Sequence, residues 1–190
     1  MTDRYAVIGH PIAHSKSPQI HAAFAHATAQ DLSYTAIEAP LDGFAATVSA
    51  FRAAGGRGVN VTLPFKLEAC AFATDPSEAA RLAGAANALK FEGDRVWAEN
   101  FDGVGLVNDI QVNLGHALRG RRVLLLGAGG ATRGALLPIA AQSPAVLAVA
   151  NRSADKAHAL RADLAAHATL QTGGYADLAG ESFDVVINAT

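Results

Sequence analysis

A single cysteine, Cys70, leaves this chain unable to close an intrachain disulfide. Cys70 sits in an alanine-rich helical stretch and reads as an inert, buried thiol, because free cysteine packs as a small hydrophobe. The seven histidines form no Cys/His cluster with metal-ligand spacing, and no metal is expected. Runs of basic residues are missing too. Fifteen Lys and Arg face 17 Asp and Glu for a net charge of -2, which argues against nucleic acid as a partner. No stretch of ~18 or more uncharged apolar residues suggests a membrane span. The opening MTDRYAVIGHPIAHSKSP is too polar for a signal peptide, so cytoplasm is the expected compartment.

What is present is a strongly apolar chain of 190 residues, 51% hydrophobic and 17% charged, enough for one large or two small well-cored α/β domains. Strands are expected over residues 5–9, 34–38 and 58–62, with helices over 19–29 behind Pro18 and over 41–54. Two alanine-rich helices, 66–73 and 76–82, precede a hairpin of strands 88–92 and 95–99 that turns at Gly93-Asp94. A connecting helix is expected over 103–114 and a polar hinge over 118–121. Then come strand 122–126, helix 131–141, strand 146–150, helix 153–167, and strands 169–171 and 184–188. Strands alternating with helices predict mainly parallel sheet covered on both faces. The fold class is α/β: an N-terminal three-layer α/β/α domain over residues 1–102, then a Rossmann-type domain over 103–190, with 103–120 as linking helix and hinge.

The segment VLLLGAGGATRGA has the strand, glycine turn and helix in the order that phosphate binding requires. Gly127 permits the tight turn, Gly129 lets the backbone approach a pyrophosphate, and the next helix offers unpaired N–H groups. Thr132 stands where the third glycine or alanine of the fingerprint belongs, so the match is imperfect. The following strand ends in Asn151-Arg152, where NAD sites place an acid for the ribose 2′-hydroxyl. A neutral Asn151 followed by Arg152 and Lys156 suits the 2′-phosphate of NADP, since arginine grips phosphate in a bidentate, charge-assisted way.

Ser15-Lys16-Ser17-Pro18 precedes a helix start. Its hydroxyls suit either an N-cap or a carboxylate held with help from the helix dipole, and capping is the commoner use. Asn60, Thr62, Asn87 and Asn100 add neutral donors and acceptors at strand ends, where ligands of open α/β sheets bind. Lys66 and Asp102 complete the set. Oxidising an alcohol requires a group that takes the hydroxyl proton as hydride leaves carbon, and lysine can serve if some neutral amine is available. A carboxylate beside it orients the amine but favours the charged form. From the residues alone a surface ion pair and a proton-transfer dyad both remain open, and the ion pair is the commoner arrangement. His21 and His26, on the first helix, read as solvated or capping residues.

In order along the chain, YAVIGHPIAHSKSP, GGRGVNVTLPFK, AGAANAL, NFDGVG, LLLGAGGATRGA and NRSADKA resemble the shikimate dehydrogenase family. The resemblance covers essentially the whole chain. It implies NADPH-dependent, reversible reduction of 3-dehydroshikimate to shikimate in aromatic amino-acid biosynthesis, by a monomer or homodimer. It further implies that Ser15 and Ser17 hold the substrate carboxylate, that Asn60, Thr62, Asn87 and Asp102 bind its hydroxyls, and that Lys66 is the general acid/base paired with Asp102. Gly127, Ala128, Gly129, Gly130 and Ala131 would cradle the pyrophosphate. Asn151, Arg152, Ser153 and Lys156 would surround the 2′-phosphate, while Glu78, Asn188 and Thr190 would also contact the cofactor.

Three departures stand out. His10 replaces the family's common asparagine. Phe101 replaces a threonine between Asn100 and Asp102, putting apolar bulk where a hydroxyl near the substrate ring is usual. The chain also stops at a strand end where members continue, so a fragment with an incomplete NADP domain and little turnover of its own is expected. Quinate dehydrogenase and a catalytically silent NADP-binding regulator are the alternatives. Ser17 and Arg152 argue for shikimate and NADP, and the joint presence of Lys66 and Asp102 argues against a silent regulator.

Overall fold

The computed structural model describes residues 2–190 and divides into two compact units, Met1–Asn100 and Phe101–Thr190. The first unit carries strands β1 (Asp3–Gly9), β2 (Leu32–Glu38), β3 (Gly56–Val61), β4 (Asp75–Pro76), β5 (Ala88–Glu92) and β6 (Arg95–Glu99). They form one sheet in the order β2-β1-β3-β5-β6-β4. β2, β1 and β3 run parallel, whereas β5 is antiparallel to β3 and to β6. The hairpin expected at Gly93-Asp94 is thus built into the middle of the sheet.

Side chains alternate across this sheet, and the alternation gives the unit its layers. Ala6, Ile8, Val59 and Val61 face a core with Phe44, Val48 and Phe51 of α2 (Phe44–Ala53) and with Phe65 just ahead of α3 (Lys66–Phe72). That core also takes in Ala80 of α4 (Glu78–Ala83). Phe44 and Phe65 stack at its centre with ring centroids 5.2 Å apart. Tyr34 and Asn60 point to the other face, where His21 of α1 (Ser17–Ala27) meets Tyr34. The result is the expected α/β/α sandwich.

The second unit is a parallel sheet in the order β10-β7-β8-β9, with β7 (Arg122–Leu126), β8 (Val146–Ala150), β9 (Gln171–Gly173) and β10 (Val185–Asn188). Val123, Leu125, Leu147 and Val149 pack beneath α6 (Gly130–Ala140) and α7 (Ala154–Asp163). From β7 the chain steps outward to β8 and β9, then returns to place β10 on the other side of β7. Strand order therefore reverses beside β7, which is the place where open α/β sheets bind ligands.

Several boundaries differ from the sequence reading. α2 begins at Phe44, three residues after Leu41, because Pro40 to Gly43 close a turn through Gly43 N–H to Pro40 C=O at 2.9 Å. α7 ends at Asp163, since Leu164 and Leu170 are both buried and the chain must fold back onto the sheet between them. That return moves β9 to Gln171–Gly173. The segment expected to be a polar hinge contains Leu118, which is fully buried in the second core. The connecting helix is α5 (Asp102–Asn108) running into a π-helical turn, Asp109–Asn113, in which Leu114 N–H reaches Asp109 C=O at 2.9 Å.

α5 lies so close to α6 that Gly103 has no room for a side chain. A Cβ there would sit 2.2 Å from Gly134 O and 2.7 Å from Pro138 Cγ. Gly103→Ala is therefore expected to destabilise the protein by about 1–3 kcal/mol through overpacking, measured as a lower denaturant midpoint. An unchanged midpoint would mean that the two helices do not pack at this distance.

Candidate active site

The polar residues picked out in the first unit gather at the carboxyl end of β3. Ser15 and Ser17 precede and open α1, whose N-cap is Lys16 with no side-chain cap. The serine hydroxyls are thus not the helix cap that their position suggested. Ser15 Oγ instead accepts from Ser17 N–H at 3.3 Å. Thr62 follows β3, its N–H bonded to Ile8 C=O at 2.9 Å. Its methyl lies so near Gly9 that a Cβ on that glycine would come within 2.5 Å. Asn60 Nδ2 lies 3.5 Å from Asn87 C=O, which also accepts from Val61 N–H at 2.8 Å. Lys66 opens α3, half-buried, with its C=O accepting from Ala86 N–H at 2.8 Å.

β5 runs back against β3, so the start of one strand meets the end of the other. The antiparallel pair Asn60↔Ala88 is what brings Asn87 beside Asn60. β1, β3 and β5 therefore supply the site together. The peptides His10–Pro11 and Leu63–Pro64 in its flanking loops are cis. His10 Nδ1 lies 2.9 Å from Ala39 C=O; a carbonyl only accepts, so this nitrogen carries the proton.

Two residues behave otherwise than the sequence suggested. Asn100 is 5% exposed and donates from Nδ2 to Ala85 C=O at 3.0 Å, a structural bond that holds the turn after β6. His21, expected to be solvated or capping, is half-buried and stacks on Tyr34 with centroids 3.9 Å apart and planes 9° apart. Tyr34 itself was not anticipated. An aromatic residue with a polar tip on a strand facing a helix was the available signal, because a buried phenol needs a partner. Cys70 is only part-buried, with its Sγ donating to Ala80 C=O at 3.3 Å. Burial pushes the thiol's pKa up against the pull of Arg81, which suits the inert role expected of it.

Glu78 stands exposed in the first turn of α4, which is capped by Ser77 Oγ accepting from Ala80 N–H at 3.0 Å. Phe101, 58% exposed, and Asp102 belong to the second unit, where Asp102 begins α5.

The glycine turn joins β7 to α6. Gly127 has φ +110°, and a Cβ on it would meet Ala189 O at 2.8 Å, so this position admits only glycine. Thr132, the imperfect fingerprint position, is fully buried and donates from Oγ1 to Gly127 C=O at 3.0 Å. It ties the turn to the helix in a way that a third glycine could not. Around Gly129 a Cβ would meet nothing within 4 Å, which leaves the mouth of the α6 N-terminus open. Asn188 Oδ1 accepts from Thr190 N–H at 3.2 Å and Thr190 Oγ1 at 2.9 Å, closing the loop after β10. Asn151 directly follows β8 and donates to Ser153 C=O at 2.9 Å, while Arg152, Ser153 and Lys156 face solvent. An open helix terminus with exposed cations at the neighbouring strand end fits a dinucleotide bearing an extra phosphate.

Residues 7–89 match the family described as shikimate dehydrogenase substrate binding domain, and residues 110–190 match the one described as shikimate / quinate 5-dehydrogenase. Shikimate dehydrogenase (NADP(+)) from Dechloromonas aromatica is 58% identical over 190 residues, covering 100% of this chain and 69% of that protein. The chain belongs to the shikimate dehydrogenase family.

Solved structures agree. An Ael1 enzyme from Pseudomonas putida is 59% identical with a TM-score of 0.91, and this chain covers 69% of it. Shikimate 5-dehydrogenase from Thermus thermophilus, crystallised with NADP(H) and shikimate, is 31% identical with a TM-score of 0.88, again with 69% of its chain covered. Shikimate dehydrogenases are oxidoreductases, and the Dechloromonas aromatica relative carries NADP(+) in its name. Among the described residues no group of three or more His, Cys, Asp or Glu is placed to hold a metal, and no helix is long and apolar enough to cross a membrane.

Proposed function

We propose that this protein catalyses the reversible, NADPH-dependent reduction of 3-dehydroshikimate to shikimate. The observation that carries the reading is the 58% identity over all 190 residues with a shikimate dehydrogenase (NADP(+)). The polar cluster at the end of β3 and the open glycine turn after β7 supply chemistry to match it. Ser15 and Ser17 donate to the substrate carboxylate, and Asn60, Thr62, Asn87 and Asp102 bind its ring hydroxyls. Lys66 takes the hydroxyl proton on Nζ during oxidation and returns it during reduction. Asp102 accepts a hydrogen bond from the resulting ammonium and fixes its direction.

When bound, NADP supplies the hydride acceptor or donor at its nicotinamide. Gly127 to Ala131 hold the pyrophosphate through backbone N–H groups at the start of α6. Arg152 grips the 2′-phosphate, with Asn151, Ser153 and Lys156 around it. Asn188 and Thr190 line the neighbouring loop, and Glu78 contributes from the first domain. In this reading residues 1–102 form the substrate domain and residues 103–190 the NADP domain.

The test is absorbance at the reduced-nicotinamide band with shikimate or quinate against NADP or NAD. Turnover with shikimate and NADP is expected to exceed the other three pairs. The family description naming quinate beside shikimate favours a second reading, and faster turnover of quinate would establish it. Binding of NADP with turnover of neither acid would mean a silent binding protein.

A further inference from the structure

Tyr34 lies outside the residues assigned above to substrate or cofactor, yet it joins two of them. Its hydroxyl donates to Asn60 Oδ1 at 2.7 Å, and the Ser17 hydroxyl stands beside the same phenol. His21 stacks on the ring from α1, and its Nδ1 lies 2.9 Å from Ser17 C=O. Because a carbonyl has no proton to give, Nδ1 is the donor, and the bond sets the plane of the imidazole that clamps Tyr34.

The chemistry at Asn60 follows. Burial pushes the Tyr34 phenol up to about 12, against a smaller opposing pull from Ser17, so it stays protonated and donates. A carboxamide has one oxygen and one NH₂ group. With the oxygen engaged by Tyr34, the amide cannot flip without losing that bond. Its NH₂ edge then faces away from Tyr34, with one direction toward Asn87 C=O at 3.5 Å and the other left for an oxygen of a ligand.

We propose that Tyr34 is a positioning residue of the substrate site, fixing the Asn60 amide with its donor edge toward the ligand and steadying Ser17 at the start of α1. This rests on Ser17 and Asn60 being substrate-binding residues. The site thus presents donors to an oxygen-rich acid before the acid arrives, and the ordering of Asn60 is not charged against binding.

Tyr34→Phe deletes one oxygen and keeps the ring that stacks on His21. Steady-state kinetics of the whole protein are expected to show KM for shikimate rising about three- to tenfold, in line with one lost hydrogen bond, with kcat within about twofold and KM for NADP unchanged. On an Asn60→Ala background the same change should have a much smaller effect, since its main route of action is gone. Asn60→Asp keeps the acceptor that Tyr34 needs but has no N–H edge, so it is expected to raise KM for shikimate more than Tyr34→Phe does. An unchanged KM in Tyr34→Phe, equal rises for shikimate and NADP, full additivity with Asn60→Ala, or a wild-type KM in Asn60→Asp would each overturn the proposal. A wild-type protein that neither binds nor turns over shikimate would instead remove the functional reading and this proposal with it. Normal wild-type turnover with a silent Tyr34→Phe removes only the proposal.

Discussion

Lys66→Met is expected to lower kcat for shikimate oxidation by about 10²- to 10⁴-fold, the usual worth of a positioned acid or base. Methionine keeps an unbranched stem and removes the titrating amine. Lys66 is the first residue of α3, and its backbone carbonyl is bonded to Ala86 N–H at 2.8 Å. The backbone at position 66 is therefore held by its own helix and by the loop before β5 whatever the side chain is. The shikimate KM should rise much less than kcat falls, because proton transfer is needed only on the way to the transition state. The measurement is the split between kcat and KM, with the far-ultraviolet spectrum as a check on folding. A loss confined to KM would make Lys66 a binding residue and leave the base to be found elsewhere.

Arg152→Ala carries the second large effect, on cofactor choice. Charge-assisted bonds to phosphate are worth about 1.5–3 kcal/mol, so NADP should bind roughly 10- to 100-fold more weakly while NAD is almost unaffected. Arg152 is exposed at the end of β8, directly after Asn151, whose N–H is held by Gly173 C=O at 3.1 Å. The strand end is thus fixed and only the guanidinium is lost in the variant. Because the contact is exposed, the NADP preference should also shrink as salt is raised. Titrating both cofactors into wild type and variant checks this, and equal losses for the two would sink the assignment of Arg152 to the 2′-phosphate.

How much of this was legible beforehand differed between residue types. Gly127 was readable because a glycine at a strand-to-helix turn has few other uses, and its φ of +110° against Ala189 O gives the reason. The apolar strands β7 and β8 were readable from composition alone, since a parallel strand buried on both faces is one continuous apolar run. Antiparallel β5 in the middle of the first sheet was not. Its hairpin partner is local and visible, but its pairing with β3 joins residues far apart in the chain (Gly58↔Lys90, Asn60↔Ala88) and leaves no local mark. The two-residue strand β4 is likewise held by register with β6 rather than by propensity, and it fell at the junction between the expected helices 66–73 and 76–82. Leu118 was misread as hinge because its neighbours are polar, while burial depends on what packs over it.

The site divides along the same line. The residues proposed to touch ligands were picked out by the family's motifs. Tyr34, proposed to hold one of them in place, carries no such motif. Tyr34 acts through a bond to a residue 26 positions away, and such a partner becomes visible only once the sheet is assembled.

The alternation of faces on β3 has a consequence for how the protein acquires its activity. Val59 and Val61 face the apolar core while Asn60, between them, faces the site. A slip of one residue in the pairing of β3 would drive the amide of Asn60 into hydrocarbon and turn two valines outward. The core's demand for the right register is therefore also what aims Asn60. Any ligand held by Asn60 favours that register alone, so its binding would stabilise the correctly paired sheet by mass action.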